Sequence, residues 1–407
     1  MTSHPASAIA SLSASVVVDA SCSTTARPIS TSADRTPGTP ASAVNTARFA
    51  WTATMPEIVR IDTTARKRIA WPSIGVVDRR RLTCTLGPTT FRRSLRHAGS
   101  LQGHRLRAAI IVNVSFLGLG AIGAPMARHL AKPPFSLAVW NRTKSRADTF
   151  GTETGARVAA TPADAVRGAN VVITCLPTSH EVEALLDGPD GVLAGLEAQS
   201  LFIDCTSGDP ATSRRIAARL AERGTAFMDA PVSGGVSGAQ QGTLTVMCGA
   251  DEATFERARP VIEAFGKKIV RCGPVGAGDA VKAVNQALLG IHIWALSEGL
   301  VALSKAGISP RMALDVINAS SGRSNVSQNL FTERVITRAF PRTFKLALME
   351  KDVTIAAEFA RENRVPSPLT QSAADLLRVA RRALGEEADH VETVRLLEEW
   401  AGCEVQG

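Results

Sequence analysis

Short apolar runs alternate with longer helix-compatible stretches from residue 111 to residue 272. The runs are Ile110–Leu117, Leu137–Trp140, Val171–Leu176, Leu201–Asp204, Ala226–Ala230, Leu244–Cys248 and Lys268–Arg271. Helical stretches lie between most of them. That is the βαβ rhythm of a doubly wound sheet. After Gly278 the character changes. Residues 279–306 read as one long apolar helix, and the chain stays helical to its end. The pattern predicts an α/β Rossmann domain over 111–272 and an all-helical domain over 273–407, with a long linking helix between them.

Residues 1–110 stand apart. The first fifty are rich in Ser, Thr, Ala and Pro, and residues 60–107 carry the clusters Arg66-Lys67-Arg68, Arg79-Arg80-Arg81 and Arg92-Arg93. No helical or strand period is sustained there. An Arg- and Ser-rich targeting segment, a disordered basic tail and a spurious upstream extension all fit. A disordered or spurious extension fits best, because the first strand begins near residue 110 with nothing needed before it.

Charge reinforces this division. The chain carries a net +9, yet residues 1–110 hold 15 Lys and Arg against 5 Asp and Glu, while residues 111–407 hold 31 against 32. The enzyme-like part is close to neutral, so no nucleic acid partner is expected for it. The seven cysteines are scattered without a CxxC, which argues against a disulfide framework or a zinc site and fits a reducing compartment. A cytoplasmic location is expected, or the mitochondrial matrix if the N-terminal segment is a transit peptide. The histidines show no ligand spacing, so no metal is expected. No uninterrupted run of membrane-spanning length occurs, so no membrane span is expected. The chain has no tyrosine, which excludes the tyrosine-dependent chemistry of short-chain dehydrogenases.

The most specific motif is Val114-Ser-Phe-Leu-Gly-Leu-Gly-Ala-Ile-Gly-Ala-Pro-Met-Ala-Arg128, an apolar strand running into G-x-G-x-x-G and then a helix. Gly118 permits the tight turn, Gly120 lets the backbone approach a pyrophosphate, and Gly123 lets the helix pack on the sheet. Leu119, Ala121 and Ile122 complete the loop. The second strand ends in Asn141-Arg142-Thr143, with Asn141 23 residues beyond Gly118. A ribose-binding acid is expected near that point in an NAD enzyme. The neighbouring Arg142 instead suits a 2′-phosphate, so NADP(H) is favoured and NAD(H) kept as the alternative.

Two further strand ends face the expected ligand crevice. One carries Leu176-Pro177; the other carries Thr206 and Ser207, which suit a nicotinamide contact or a helix cap equally well. The loop Asp229–Leu244 contains Ser233-Gly234-Gly235, a hydroxyl and unobstructed backbone N–H groups that can hold a carboxylate or phosphate oxygen. Lys282 and Asn285 share a face at the start of the long helix. A lysine among apolar neighbours can exchange protons at a lowered pKa, or it can reach out to solvent. Lys351-Asp352 alone reads as an ordinary charged pair.

In this order these residues closely resemble the β-hydroxyacid dehydrogenase family, which includes 3-hydroxyisobutyrate dehydrogenase, tartronate semialdehyde reductase and glyoxylate/succinic semialdehyde reductases. The resemblance covers about 111–401. It implies a 6-phosphogluconate dehydrogenase-like fold, and a homodimer or homotetramer built through the helical domain. It implies Lys282 as general acid/base, with Asn285, Ser233, Gly234, Gly235, Thr206, Phe344 and Asp352 at the substrate and Ser207 and Lys351 at the cofactor. The substrate would be a small carboxylate-bearing aldehyde or hydroxyacid. Ile122, Gln286 and Cys205 depart from the common pattern and leave the substrate open. A reductase for glyoxylate or succinic semialdehyde is the nearest alternative. A non-catalytic cofactor-binding module with a basic tail is a more distant one, against which the presence of Lys282 argues.

Overall fold

The computed structural model describes residues 111–407; the expectations for residues 1–110 lie outside the described residues. The chain opens with β1 (Val112–Leu117), α1 (Gly123–His129), β2 (Phe135–Trp140), α2 (Lys144–Thr154), β3 (Arg157–Val158), α3 (Pro162–Val166) and β4 (Val171–Thr174). It continues through α4 (Ser179–Ala184), α5 (Val192–Gly195), β5 (Leu201–Asp204), α6 (Pro210–Ala221) and β6 (Ala226–Asp229). Then come β7 (Val232–Ser233), α7 (Gly235–Gln241), β8 (Leu244–Gly249), α8 (Glu252–Ile262) and β9 (Gly266–Gly273).

The strands form one sheet in the order β3-β2-β1-β4-β5-β6-β8-β7, with β9 on β8. β3 to β6 run parallel in that order, β8 lies antiparallel to β6 and β7, and β9 lies parallel to β8. The order reverses between β1 and β4, so the crevice beyond their carboxyl ends is the expected ligand seat. Side chains alternate across the sheet. Phe116, Ile173 and Ile203 join the core on one face, while Leu117, Val172 and Phe202 join the core on the other. Both faces are therefore covered, as the uninterrupted apolar runs anticipate. β3 and β7, two residues each, escape a pattern that needs at least four.

The helical domain starts with α9 (Ala277–Lys305) and adds α10 (Pro310–Asn318), a π-helix (Val326–Val335), α11 (Leu346–Glu362), α12 (Pro368–Leu384) and α13 (Thr393–Ala401). Its own core includes Ile293, Trp294, Leu300, Phe331, Met349, Val353 and Leu377. By length and mean hydropathy, 1.5 over its most apolar eighteen residues, α9 could cross a bilayer. The sequence pattern hid this because His292, Ser297 and Glu298 interrupt the apolar run. Here α9 is the spine of the domain. Ala283, Ala287, Gly290, Ile293, Trp294 and Leu300 are buried, whereas Val281, Val284 and Leu288 are exposed.

Candidate active site

The first glycine-rich turn is held by sterics. Gly118 has φ +107°, and a Cβ there would lie 2.4 Å from the Cys175 carbonyl oxygen; one at Gly123 would lie 2.0 Å from the Gly118 carbonyl oxygen. Gly120 faces open space, with nothing within 4 Å. Leu119 points its side chain into the core and its N–H donates to Asn141 Oδ1 at 2.9 Å. Asn141 thus fastens the loop to the end of β2. α1 has no side-chain cap, which leaves its first N–H groups for an anion. A cavity of about 290 Å³ runs from Gly118 and Gly120 past Asn141, Arg142 and Thr143 to Leu176 and Pro177. Its backbone donors, its glycines and an arginine at the far end fit a dinucleotide.

A second cavity, about 250 Å³, shares Cys175, Leu176 and Pro177 with the first and lies between the sheet and the helical domain. Ser233, Gly234 and Gly235 line one side; Lys282, Gln286, Phe344, Lys351 and Asp352 line the other. Gly234 and Gly235 have φ +135° and +63°, conformations that glycine adopts without a Cβ clash. Lys282 is 7% exposed, and its Nζ donates to Gln286 Oε1 at 3.2 Å. Burial lowers the pKa of its ammonium; Asp352 opposes that shift and Lys351 adds to it. Gln286 Nε2 in turn donates to Asp352 Oδ2 at 2.9 Å, and Asp352 Oδ1 lies 2.9 Å from Lys351 Nζ. Lys351 reaches across to the sheet, donating to the carbonyl oxygens of Ser207 and Pro177. One polar chain therefore runs from the buried lysine to the two loops beside the nicotinamide end of the crevice.

Beneath the pocket lie three buried carboxyls. Asp204 Oδ1 accepts from Thr174 Oγ1 at 2.7 Å and from the Thr206 N–H at 3.0 Å, which shapes the loop after β5. Asp229 accepts the N–H groups of Gly276 at 2.7 Å and Asp279 at 3.0 Å, so it caps the start of α9 from the foot of the Ser233 loop. Asp279 accepts from the Gly208 N–H at 3.0 Å and from Ser213 Oγ at 2.7 Å. Burial raises all three pKa values, Asp229 to about 6 and Asp279 well above the usual range; the mutual repulsion of Asp229 and Asp279 adds to the latter.

Two expected contacts are not in the pocket. Thr206 is 1% exposed, and its Oγ1 accepts the Leu176 N–H at 3.0 Å. It braces one crevice loop against the other, while its neighbours Cys205 and Ser207 line the cavity. Asn285 lies on the exposed side of α9 with Val281, Val284 and Leu288; Gln286 occupies the pocket. Ala121 is exposed at the turn, and Ile122 lines the substrate cavity instead of the dinucleotide one. The residues missed by sequence reasoning include Gln286, Leu289, Leu348, Cys175, Arg146, Glu181 and the three aspartates beneath the pocket. Only Gln286, one helical turn after Lys282, carried a usable spacing signal.

A Rossmann crevice that meets a buried lysine at a domain seam defines a nicotinamide-dependent oxidoreductase. Residues 113–273 match the model of the NAD binding domain of 6-phosphogluconate dehydrogenase, and residues 276–397 that of the NAD-binding domain of NADP-dependent 3-hydroxyisobutyrate dehydrogenase. The chain is 35% identical over 297 residues to 2-(hydroxymethyl)glutarate dehydrogenase of Eubacterium barkeri, covering 73% of this chain and 98% of that protein. It is 36% identical over 272 residues to NAD-dependent L-serine dehydrogenase of Pseudomonas aeruginosa, covering 65% and 91%. Among solved structures, Mycobacterium tuberculosis 3-hydroxyisobutyrate dehydrogenase with L-serine superposes with a TM-score of 0.64 at 31% identity, over 70% of this chain and 99% of that one. The chain belongs to the β-hydroxyacid dehydrogenase family and is an NAD(P)-dependent oxidoreductase acting on CH–OH groups.

Proposed function

We propose that the enzyme interconverts a primary β-hydroxyacid of the form HO–CH2–CHX–COO⁻ and its semialdehyde, with Lys282 as general acid/base. Serine, 3-hydroxyisobutyrate and 2-(hydroxymethyl)glutarate share this skeleton and differ only in X. They are the compounds in the names of the relatives above. The observation that carries the reading is the pairing, in one pocket, of a buried lysine with the Ser233-Gly234-Gly235 loop. The loop offers a hydroxyl and backbone donors to the carboxylate, and Lys282 faces the hydroxymethyl end.

A dinucleotide held by the Gly118–Gly123 turn and the Leu176-Pro177 loop would supply or accept the hydride. In oxidation the neutral Lys282 amine takes the hydroxyl proton as the C–H hydride leaves; in reduction its ammonium returns a proton to the carbonyl oxygen. Burial helps by making that proton easier to release. Gln286 holds Nζ in place. Phe344, Leu289 and Leu348 form apolar walls that suit a small X group. Arg142 at the far end of the dinucleotide cavity supports NADP(H) as the preferred cofactor. The exposed stripe of Val281, Val284 and Leu288 along α9 supports a homo-oligomer joined through the helical domain.

The test is a set of initial rates with NADPH and NADH on tartronate, methylmalonate and succinic semialdehydes and on glyoxylate, with serine and 3-hydroxyisobutyrate in the oxidative direction. Turnover of tartronate or methylmalonate semialdehyde, lost in Lys282→Ala, is the expected result. Turnover of glyoxylate or succinic semialdehyde alone, or a Lys282→Ala variant as active as the parent, would sink the reading.

A further inference from the structure

Glu181 brings a fixed negative charge to the outer end of the dinucleotide cavity. It is the third residue of α4. Its N–H donates to Thr178 Oγ1 at 3.2 Å and its Oε2 accepts the Thr178 N–H at 3.1 Å, which closes a capping box. The remaining oxygen, Oε1, accepts from Arg142 Nη1 at 3.2 Å, and both residues line the cavity with Thr143 and Arg146. The arginine is free to swing, with its side chain 82% exposed, whereas the carboxylate is pinned by its own helix start. Asn141, where a ribose-binding acid would stand, is committed to the Leu119 N–H and the Thr143 carbonyl oxygen.

We propose that Glu181 is a specificity residue that weakens the preference for NADP(H) and keeps the site open to NAD(H). The inference rests on the NAD(P) reading of this cavity. A 2′-phosphate that recruits Arg142 shares the guanidinium with Glu181 or draws it away, and in either case lies near a carboxylate that cannot follow. A 2′-hydroxyl needs no guanidinium and suffers no charge repulsion. The glutamate therefore acts against one dinucleotide and not the other.

Gln completes a capping box as Glu does, so Glu181→Gln removes the charge and keeps the helix start. The experiment is calorimetric titration of the full chain with NADPH and with NADH at low ionic strength, with circular dichroism as the folding check. The ratio Kd(NADH)/Kd(NADPH) is expected to rise roughly 1.5- to fivefold in Glu181→Gln, the span of an exposed ion pair. The gain should shrink as salt is added. Arg142→Gln is expected to weaken NADPH and leave NADH unchanged. An unchanged ratio in Glu181→Gln, or equal loss of both affinities, overturns the proposal and leaves Glu181 a helix cap. A parent chain that binds neither dinucleotide overturns the cofactor reading itself, a result distinct from the first.

Discussion

The two halves of the active site are built from different material. The dinucleotide half is mainly backbone: a glycine turn, loop N–H groups and a helix start, with Asn141 fixing the loop and Arg142 and Glu181 at its outer end. The substrate half has its own glycine loop but is mainly side chains: Lys282, Gln286, Asp352 and Lys351 hand hydrogen bonds from one to the next between α9, α11 and the sheet. A backbone site fails when a Cβ intrudes. A side-chain site fails when one functional group is lost while the fold stays intact. The comparison thus predicts that damage to one half is steric and damage to the other chemical.

The largest expected effect is at Lys282. Removing a positioned proton carrier costs on the order of 10²–10⁴-fold in rate. Lys282→Ala should lose that much kcat while NADPH affinity and melting temperature stay near the parent's. Lys282→Arg should fare no better, because a guanidinium keeps its proton at any working pH. With the parent enzyme, oxidation should speed up with rising pH as the ammonium deprotonates. It should reach its plateau below the ordinary lysine range, since burial lowers this pKa. A plateau at or above the usual lysine value would contradict the burial argument, and an active Lys282→Arg the acid/base role.

On the backbone side, two glycines two residues apart should behave differently. Gly118→Ala places a Cβ at 2.4 Å from the Cys175 carbonyl oxygen in a left-handed conformation. A loss of about 2 kcal/mol or more in stability is expected, read by denaturant unfolding. Gly120→Ala meets nothing within 4 Å, so the fold should be unaffected. Its methyl points into the space a pyrophosphate needs, so NADPH affinity alone should fall. If Gly120→Ala destabilises the fold or binds NADPH as the parent does, this half is not a backbone cradle.

The same contrast explains what was legible in the sequence. A backbone site demands glycine at set positions, so Gly118, Gly120, Gly123, Gly234 and Gly235 were readable directly. The sheet was readable because strands buried on both faces must be apolar throughout. Side-chain positions were harder. Lys282 is followed by Asn285 and Gln286, three and four residues on, and helical spacing brings either near it. Asn285 falls on the side of the stripe Val281, Val284 and Leu288, which is apolar yet exposed, and Gln286 falls on the buried side. Thr206 was placed at the substrate by resemblance alone; in the structure Cys205 and Ser207 line the cavity and the residue between them braces the Leu176 loop. Asp204, Asp229 and Asp279 carried no signal, because partners far along the chain give them their roles.

Asp229 tests the join between the halves. It stands four residues before Ser233 and caps the helix start that carries Lys282. Both its oxygens accept backbone N–H groups, so Asn at this position must turn an NH2 toward a donor. A loss of roughly 1–3 kcal/mol is expected for Asp229→Asn, together with a lower kcat, since the lysine and the carboxylate loop lose their common anchor. Full activity in a destabilised variant would show that the join is structural only.

The smallest effect, and one of opposite sign, is expected at Asp279. Its oxygens accept from the Gly208 N–H and from the Ser213 hydroxyl. In Asp279→Asn the amide keeps the first bond through its carbonyl, and its NH2 can donate to Ser213 once that hydroxyl rotates. The charge disappears and the hydrogen bonds remain. Burial and the neighbouring Asp229 raise the pKa of Asp279 well above its unfolded value of 3.8. The folded state therefore holds a proton that the unfolded chain releases once pH passes that value. The contribution of this carboxyl is fully present below pH 3.8 and is lost as pH rises toward its folded pKa. An amide does not titrate, so the variant should gain on the parent as pH rises. By about pH 8 the variant should melt above the parent. Melting curves from acid to mildly alkaline buffer check it. An Asp279→Asn variant less stable than the parent at the alkaline end would mean that the fold stabilises the ionised carboxylate, and that the seam is held by charge rather than by neutral hydrogen bonds.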